Sequence, residues 1–246
     1  MTELRRFFVD ISNINGDIVT VTGDEFLHMT KVLRLKVGFK VIVCANDGIE
    51  RFSTITKIDK DVATLKIEEE KTVDHRGKSL TLFAGLLKNN KLDFVIQKCV
   101  ELGVNKIIPF VSSNTAETKF NIERAKTIAL EAAKQCGSAY LTEVGELVTL
   151  DNVAEMLQKF DVALCAYECD KTNRIRETAL GGSKDKNTNI ALIVGAEGGF
   201  KQLEIENLKE KGVKTVTLGR RILRAETADI VASALVLDTI GELDYD

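Results

Sequence analysis

The stretch Ile190-Ala191-Leu192-Ile193-Val194-Gly195-Ala196-Glu197-Gly198-Gly199-Phe200 is the most informative about the fold. Its first five residues are all apolar, a cluster of glycines follows, and a helical pattern then runs over 202–211. An uninterrupted apolar run is typical of a strand buried on both faces of a parallel sheet. The glycines permit a positive φ and a close approach of the backbone to a ligand. The stretch therefore predicts a strand, a turn suited to binding a ligand and a helix of an α/β sheet.

From Leu80 onward the chain repeats this alternation of apolar runs and amphipathic helical patterns. Buried strands are predicted at 80–87, 106–111, 161–167, 190–194 and 213–218, and helices at 91–102, 121–136, 202–211 and 227–240. In the helix 91–102, Leu92, Ile96 and Cys99 lie on one apolar face, and Gly103 follows as a stop signal. Strands that alternate with helices predict the fold class, α/β with a parallel sheet.

The N-terminal part of the chain has a different pattern. Short runs rich in Val, Ile and Thr, at 17–21, 40–44, 52–56 and 63–67, are separated by turn signals such as Asn15-Gly16 and Asp47-Gly48. Short strands at this spacing suggest a small β-barrel. The charged segments 68–71 and 74–78 are the predicted linker, so we expect a β domain at 1–73 and an α/β domain at 74–246. A polar loop is predicted at 181–187.

Composition narrows the class of protein. Hydrophobic residues make up 44% of the 246-residue chain and charged residues 29%, which supplies a core and excludes a disordered chain. No apolar stretch is long enough to span a bilayer, and the N-terminus lacks the apolar segment of a signal peptide, so we expect no membrane partner. The odd number of cysteines, five, indicates a reducing compartment, and we expect a cytoplasmic protein. With two histidines and no Cys-x-x-Cys pair, we assign no metal site.

A second loop, 218–228, lies between a predicted strand and the last predicted helix. Three arginines fall within five of its residues: Arg220, Arg221 and Arg224. Guanidinium groups suit phosphates and developing oxyanions, so the loop is a candidate site beside the turn 195–199. Simpler roles stay open for both loops: a tight turn in which Glu197 complements a helix dipole, and a solvated basic turn that caps the last helix.

A third candidate segment lies in the β domain between Phe26 and Gly38. Its Lys31 and Arg34, together with Arg5 and Arg6, supply a local basic patch. Ordinary surface charge is the alternative interpretation. Because the net charge of the chain is −3, which is not that of a general nucleic-acid binder, any role in binding RNA depends on such a local patch.

Five segments, taken in order along the chain, resemble the RsmE family of 16S ribosomal RNA uridine N3-methyltransferases. They are His28 with Val32-Leu33-Arg34 and Gly38; Lys91 with Glu101-Leu102-Gly103-Val104 and Ile107-Ile108-Pro109; Glu131-Ala132-Ala133-Lys134-Gln135; Gly195-Ala196-Glu197-Gly198-Gly199-Phe200; and Leu218-Gly219 with Ile222-Leu223-Arg224-Ala225-Glu226-Thr227-Ala228. They cover almost the whole chain, and the ordered set is far more specific than any one segment. The chain departs from the family's pattern at Ala196, where proline is usual, and after Gly137, where an arginine is usual.

The resemblance implies a fold, a cofactor and partners. The family belongs to the SPOUT class, which implies a C-terminal trefoil-knot domain that binds S-adenosylmethionine, an N-terminal PUA-like barrel and a homodimer. The apolar face of helix 227–240, with Ile230, Val231, Ala234 and Leu235, fits a subunit interface and equally a core. The implied cofactor contacts are Gly195, Ala196, Glu197, Gly198, Gly199, Leu218, Gly219, Ile222, Leu223, Ala225 and Thr227. The predicted RNA contacts are Arg5, Arg6, His28, Lys31 and Arg34. We expect a side chain at Gly198 to enter the space that the cofactor needs.

The implied reaction is methylation of N3 of uridine 1498 in the 16S RNA of the small ribosomal subunit. The imide proton on N3 has to leave, and negative charge then spreads to O2 and O4 of a base that is looped or flipped out. Arg224 is the candidate that stabilises this charge, while Glu197 or Glu226 either accepts the proton or holds Arg224 in place. An RNA-binding ribosome-assembly factor without methyl transfer is the alternative. An oxidoreductase would need a dinucleotide-binding fingerprint, which the sequence lacks.

Overall fold

The computed structural model of the chain describes residues 4–73, 77–179 and 188–244. Its strands are β1 (Arg6–Phe8), β2 (Ile14–Asn15), β3 (Ile18–Thr22), β4 (Lys40–Cys44), β5 (Ile49–Ile58), β6 (Val62–Thr72), β7 (Ser79–Gly85), β8 (Lys106–Val111), β9 (Glu143–Val144), β10 (Val148–Thr149), β11 (Val162–Ala166), β12 (Asn189–Val194) and β13 (Lys214–Val216). Its α-helices are α1 (Gly23–Leu27), α2 (Lys91–Leu102), α3 (Ile122–Cys136), α4 (Leu150–Met156), α5 (Ile175–Ala179), α6 (Gln202–Glu210) and α7 (Ala225–Thr239). A π-helical turn is present at His28–Val32, and 3₁₀ turns at Ile11–Asn13 and Leu157–Lys159. In these ranges no helix has the length and apolar character that crossing a membrane requires.

The contacts within the chain divide it into two units. The first contains the described residues up to 73 together with 133–141, and the second contains 77–132 and the described residues from 142 onward. The end of α3 thus belongs with the β-rich unit, although it is distant from that unit in sequence. The domain bounds 1–73 and 74–246 stay predictions.

The first unit is built on a six-stranded sheet in the order β1-β4-β5-β6-β3-β2. β1 pairs with β4 in parallel, and the other neighbours are antiparallel. Alternate side chains of β3, Val19 and Val21, point to a core that they share with Phe7, Val41 and Leu65. The strands that the Val-, Ile- and Thr-rich runs predict are all present.

The charged segment 68–71 is not a linker. It is the C-terminal part of β6, where Glu70 pairs with Arg51 of β5. The side chain of Arg51 is only 5% exposed, and its guanidinium lies 3.1 Å from the Glu70 carboxylate and 2.6 Å from that of Asp47. The linker prediction is wrong because acidic side chains on the exposed face of a strand give the same composition as a solvated linker. Residues 74–76 of the predicted linker lie outside the described residues.

The second unit is built on a parallel sheet in the order β10-β8-β7-β12-β11-β13, with β9 paired to β8. Each of the five apolar runs corresponds to one strand of this sheet, namely β7, β8, β11, β12 and β13. β12 lies between β7 and β11, and all four residues from Ile190 to Ile193 are fully buried, which explains its uninterrupted apolar sequence. The predicted fold class is confirmed, whereas the trefoil knot stays a prediction.

The long helices agree with the sequence patterns. α2 has the predicted bounds and ends at Gly103, which has a φ of 92°. The bounds of α3, α6 and α7 differ from the predicted ones by one or two residues. The sequence patterns missed the short helices α4 and α5, although α4 begins with a capping box in which the side chain of Thr149 accepts from the Asn152 N–H at 3.2 Å. The predicted polar loop 181–187 lies outside the described residues.

Helix α7 is apolar on two sides. One side packs into the unit through Ala232, Val236 and Leu237, all fully buried. The apolar face predicted from the sequence is the other side, where Leu235 is 43% exposed and residues 230, 231 and 234 are half-buried. The sequence allows this face to be either a subunit interface or part of the core. Its exposure in the structure contradicts the interpretation as part of the core.

Candidate active site

A cavity of about 460 Å³ opens at the carboxyl ends of β11, β12 and β13. The segments that follow these strands line it, at 166–168, 194–200 and 217–225, together with Lys91 and Ala228. Ligands bind at this edge of open parallel sheets, and the volume lies in the range of small-molecule pockets. In the described part of the chain, no group of three or more His, Cys, Asp or Glu side chains is placed to hold a metal ion.

The structure brings most of the predicted site residues together here. The two glycine- and arginine-containing loops both line the cavity, including Glu197 and Arg224. Of the predicted cofactor contacts, only Thr227 is absent from the lining, since its side chain is exposed elsewhere on α7. Glu226 also does not line the cavity. Among the lining residues that the sequence patterns missed are Lys91, Tyr167 and Glu168, because none of them lies in a loop with an unusual composition.

The turn 195–199 is shaped by its own packing. The Gly199 N–H donates to the carbonyl oxygen of Ala196 at 2.9 Å, and Gly199 has a φ of 60°, which favours glycine. A Cβ added at Gly195 would lie 2.8 Å from the ring of Phe200. That ring stacks on Phe110, with 6.2 Å between the ring centroids. The glycines therefore let the chain fold back over an aromatic pair.

Gly198 is required for a different reason from the one expected. A Cβ added there would lie 2.5 Å from the carbonyl oxygen of Asn114 and 2.8 Å from its Cβ. The Asn114 side chain also donates to the Gly198 carbonyl oxygen at 3.1 Å. The expectation that a side chain at Gly198 enters the ligand space is wrong, because its first obstacle is the loop that follows β8.

Gly85, the last residue of β7, is a functional candidate that the sequence patterns missed. A Cβ added at Gly85 would overlap the amide nitrogen of Ala196 and lie 2.7 Å from the carbonyl carbon of Gly195. Its φ is not in the left-handed region, so glycine is needed here for close approach alone. The backbone of the turn thus rests directly on the backbone of β7.

Lys91, the first residue of α2, lies between two carboxylates. Its Nζ is 3.2 Å from Glu197 Oε1 and 3.4 Å from Glu226 Oε2. The hydrogen bond with Glu197 raises the pKa of Lys91. Burial by itself would raise the pKa of Glu197, but hydrogen bonds from backbone N–H groups and from Lys91 outweigh it and lower that pKa. Both carboxylates hold Lys91, so the prediction that one of them holds Arg224 is wrong.

The three arginines of the second loop are exposed beside the cavity. Arg224 is the residue immediately before α7, and its backbone is extended, with a φ of −66° and a ψ of 153°. Within residues 4–73, 77–179 and 188–244, no hydrogen bond or ion pair engages its guanidinium. A guanidinium carries five N–H donors, so that of Arg224 is available to a bound molecule.

The predicted RNA contacts of the β unit differ in exposure. Arg5, Lys31 and Arg34 are exposed. Arg6 is not: its side chain is 8% exposed, with Nη2 lying 2.7 Å from Glu50 Oε1 and Nη1 donating to Cys44 Sγ at 3.1 Å. The prediction that Arg6 contacts RNA is therefore wrong, because this guanidinium is buried in an internal ion pair.

The remaining candidates cluster around the π-helical turn. Its Leu33 N–H donates to the carbonyl oxygen of His28 at 2.9 Å, five residues back along the chain. Turns of this kind are frequent at functional sites. His28 is half-buried, with its ring edge-on to Phe7 at 6.1 Å between centroids, whereas Lys31 points to solvent. His28 therefore has a packing role in the β unit whether or not it also contacts RNA.

Comparison with known families shows the class of protein that this fold and cavity define. A family model described as an RNA methyltransferase domain matches residues 75–237, and one described as an RNA methyltransferase PUA domain matches residues 21–68. The first match covers more than half of the chain. The protein is an RNA methyltransferase with a PUA-like N-terminal domain.

The relatives narrow the class to one family. Ribosomal RNA small subunit methyltransferase E of Bacillus subtilis (strain 168) is 32% identical over 250 residues, which is 95% of this chain and 96% of the relative. Its counterpart from Mesomycoplasma hyopneumoniae (strain 232) is 30% identical over 92% of this chain and 95% of the relative. A ribosomal RNA small subunit methyltransferase E from Neisseria gonorrhoeae, crystallised with S-adenosyl methionine, matches with a TM-score of 0.77 and 26% identity over 96% of this chain and 98% of that one. The chain belongs to the ribosomal RNA small subunit methyltransferase E family, as its sequence resemblance implies.

Proposed function

We propose that this protein transfers a methyl group from S-adenosylmethionine to N3 of uridine 1498 in the 16S RNA of the small ribosomal subunit, and that it acts in the cytoplasm as a homodimer. The observation that carries the proposal is the cavity that joins the glycine turn to the arginine loop at one edge of the parallel sheet. Family membership supports an enzyme over a ribosome-assembly factor without methyl transfer.

The residues that line the cavity fit S-adenosylmethionine. The turn 195–199 offers backbone groups without intervening side chains, and Leu218, Ile222 and Leu223 offer apolar surface for a base. The cofactor carries a sulfonium and an ammonium group, and Glu168 and Glu197 place carboxylates in the lining. When bound, the cofactor supplies an electrophilic methyl group, so the main task of the protein is to position the two reactants.

Arg224 is the residue that we assign to the reacting base. Its guanidinium is exposed at the cavity and engages no group of the described chain, so it is available to stabilise charge on O2 and O4 as the N3 proton leaves. Glu197 is a weak acceptor for that proton, because its pKa is lowered and Lys91 already engages it. Glu226 lies outside the cavity lining. We therefore give both carboxylates the role of holding Lys91.

Two further surfaces support the RNA and dimer parts of the proposal. Arg5, Lys31 and Arg34 present exposed cations on the PUA-like unit, which suit RNA phosphates. The second apolar side of α7, with Leu235 at 43% exposed, is the surface that we assign to the partner subunit.

The test is transfer of a labelled methyl group to small subunits from a strain that lacks this modification, followed by mapping of the labelled nucleotide. We expect label on N3 of uridine 1498, and little label with Arg224→Ala. Free 16S RNA in a parallel reaction shows whether the assembled subunit is needed. Label on another nucleotide or another atom would overturn the assignment of the target, whereas no label on any RNA would overturn the proposed function.

A further inference from the structure

Buried carboxyl oxygens without a hydrogen-bond partner lie just behind Lys91. They are Glu226 Oε2 and both carboxyl oxygens of Asp229, and within the described residues no hydrogen bond of good geometry reaches any of them. Asp229 is fully buried, at 0% exposure, and it follows Glu226 by three residues on α7. Residues three apart lie on the same side of a helix, so the two carboxyl groups are neighbours. Lys91 Nζ lies within ion-pair distance of Glu226 Oε2, at 3.4 Å, but it forms no such pair with Asp229.

The surroundings of Asp229 disfavour its charged form. Helix α7 packs on α2, α5, β7 and β12. The strands β7 and β12 contain no titratable residue, and the charged residues of α5, Arg176 and Glu177, are exposed. From α2 the buried thiol of Cys99 faces this carboxyl, and from α7 itself Glu226 does so. Burial, and then the charge of Glu226, raise the pKa of Asp229 well above its usual value.

We propose that Asp229 is a positioning residue of the cavity: it holds a proton, donates it in a hydrogen bond to Glu226 Oε2, and so fixes Glu226 against Lys91. One proton satisfies an oxygen on each carboxyl group and leaves the pair with a single negative charge. If Asp229 lost the proton, the two adjacent carboxylates would repel each other and Lys91 would lose Glu226 as a fixed partner. The proposal rests on the proposed function, because Lys91 lines the cavity that we assign to S-adenosylmethionine.

The first experiment needs no cofactor. A group whose pKa is raised by folding contributes stability that is fully present below its unfolded pKa, and this stability is lost as the pH rises through its folded pKa. The amide that Asp229→Asn introduces is neutral at every pH, so the melting temperature of the variant relative to wild type should rise with pH. Asp238→Asn, an exposed position on the same helix, is the matched control and should show no such trend. If the difference in melting temperature between Asp229→Asn and wild type is constant from acid to alkaline pH, Asp229 does not hold a proton and the proposal is overturned.

The second experiment measures S-adenosylmethionine affinity by calorimetry. Asn still donates a hydrogen bond, so Asp229→Asn should bind within about twofold of wild type, whereas Asp229→Ala should bind about tenfold more weakly. In a Glu226→Gln background the effect of Asp229→Ala should shrink, which a general packing defect would not do. Equal losses in the Asn and Ala variants would overturn the positioning role. If Asp229→Ala does not fold, the Asn variant decides: a loss of cofactor affinity in Asp229→Asn would overturn the positioning role. Wild type that binds no cofactor would overturn the proposed function, and the pH series would still decide whether Asp229 holds a proton.

Discussion

Replacing Gly85 by alanine tests how the cofactor turn is held in place. The added methyl group would overlap the amide nitrogen of Ala196 and lie 2.7 Å from the Gly195 carbonyl carbon and 2.9 Å from Ala196 Cα. Carbon atoms in favourable contact lie about 3.5–4.0 Å apart, so the turn and β7 have to separate by roughly 1 Å. All three obstructing atoms belong to the backbone, and no side-chain rotation relieves the overlap.

The separation should lower both stability and activity. Overpacking of this kind typically costs about 1–3 kcal/mol, which lowers the melting temperature of a chain of this size by several degrees. The turn lines the cavity, and a misplacement of about 1 Å can reduce a rate by about 100-fold. We therefore expect weaker S-adenosylmethionine binding in calorimetry and a methyl-transfer rate about 100-fold lower for Gly85→Ala.

Gly145→Ala is the matched control. Its φ is also outside the left-handed region, but its added Cβ would lie 3.1 Å from Ile108 Cγ1, an atom of a side chain that does not line the cavity. The added methyl group presses on the buried Ile108 side chain, so that variant should lose some stability, but its cofactor affinity should stay close to that of wild type. A Gly85→Ala protein with the stability and cofactor affinity of wild type would refute the argument that the turn rests on the β7 backbone.

Other substitutions test Arg224, the basic patch of the β unit and the exposed side of α7. Arg224→Ala should lower the single-turnover rate at saturating RNA and cofactor by about 100- to 1,000-fold. Arg224→Lys should restore little of that rate, because lysine keeps the charge but lacks the planar guanidinium. A full rate combined with weakened RNA binding would instead make Arg224 a phosphate contact. Arg34→Glu should weaken RNA binding and flatten its salt dependence in filter-binding titrations without changing cofactor affinity, and unaltered RNA affinity at every salt concentration would contradict the basic patch. Sedimentation equilibrium should give about twice 27.1 kDa for wild type and the monomer mass for Leu235→Asp; a wild-type monomer that methylates RNA would contradict the homodimer.

The strands and long helices were predictable because their patterns are local. A strand buried on both faces, such as β12, has to be apolar throughout, and a helix on its surface needs one apolar face. The acidic end of β6 shows the limit of this argument, because its pairing with β5 depends on residues such as Arg51 that are distant in sequence. The short helix α4 was missed since seven residues are too few for a clear periodicity.

The candidate site was predictable where its functional residues lie together in a single loop. Glycines and arginines between a strand and a helix are visible in the sequence, and both loops line the cavity. Lys91 was missed as a site residue because its partners Glu197 and Glu226 lie more than a hundred residues away along the chain. Gly85 was missed for the same kind of reason, since its requirement for glycine comes from the turn 195–199, more than a hundred residues further along the chain. Arg6 shows the reverse error, in which an exposed charge was expected and an internal ion pair is present.

The packing of the turn 195–199 has a consequence for the thermodynamics of ligand capture. Three glycines fix it from separate directions: Gly85 against its backbone, Gly195 beneath the Phe200 ring and Gly198 against Asn114. A segment that is already held in its binding conformation loses little conformational entropy when a ligand arrives. The cofactor should therefore bind to a turn that already has its bound conformation. The amide of Gly199, which donates to the Ala196 carbonyl oxygen, should exchange slowly with solvent before cofactor is added, and its exchange rate should change little afterwards.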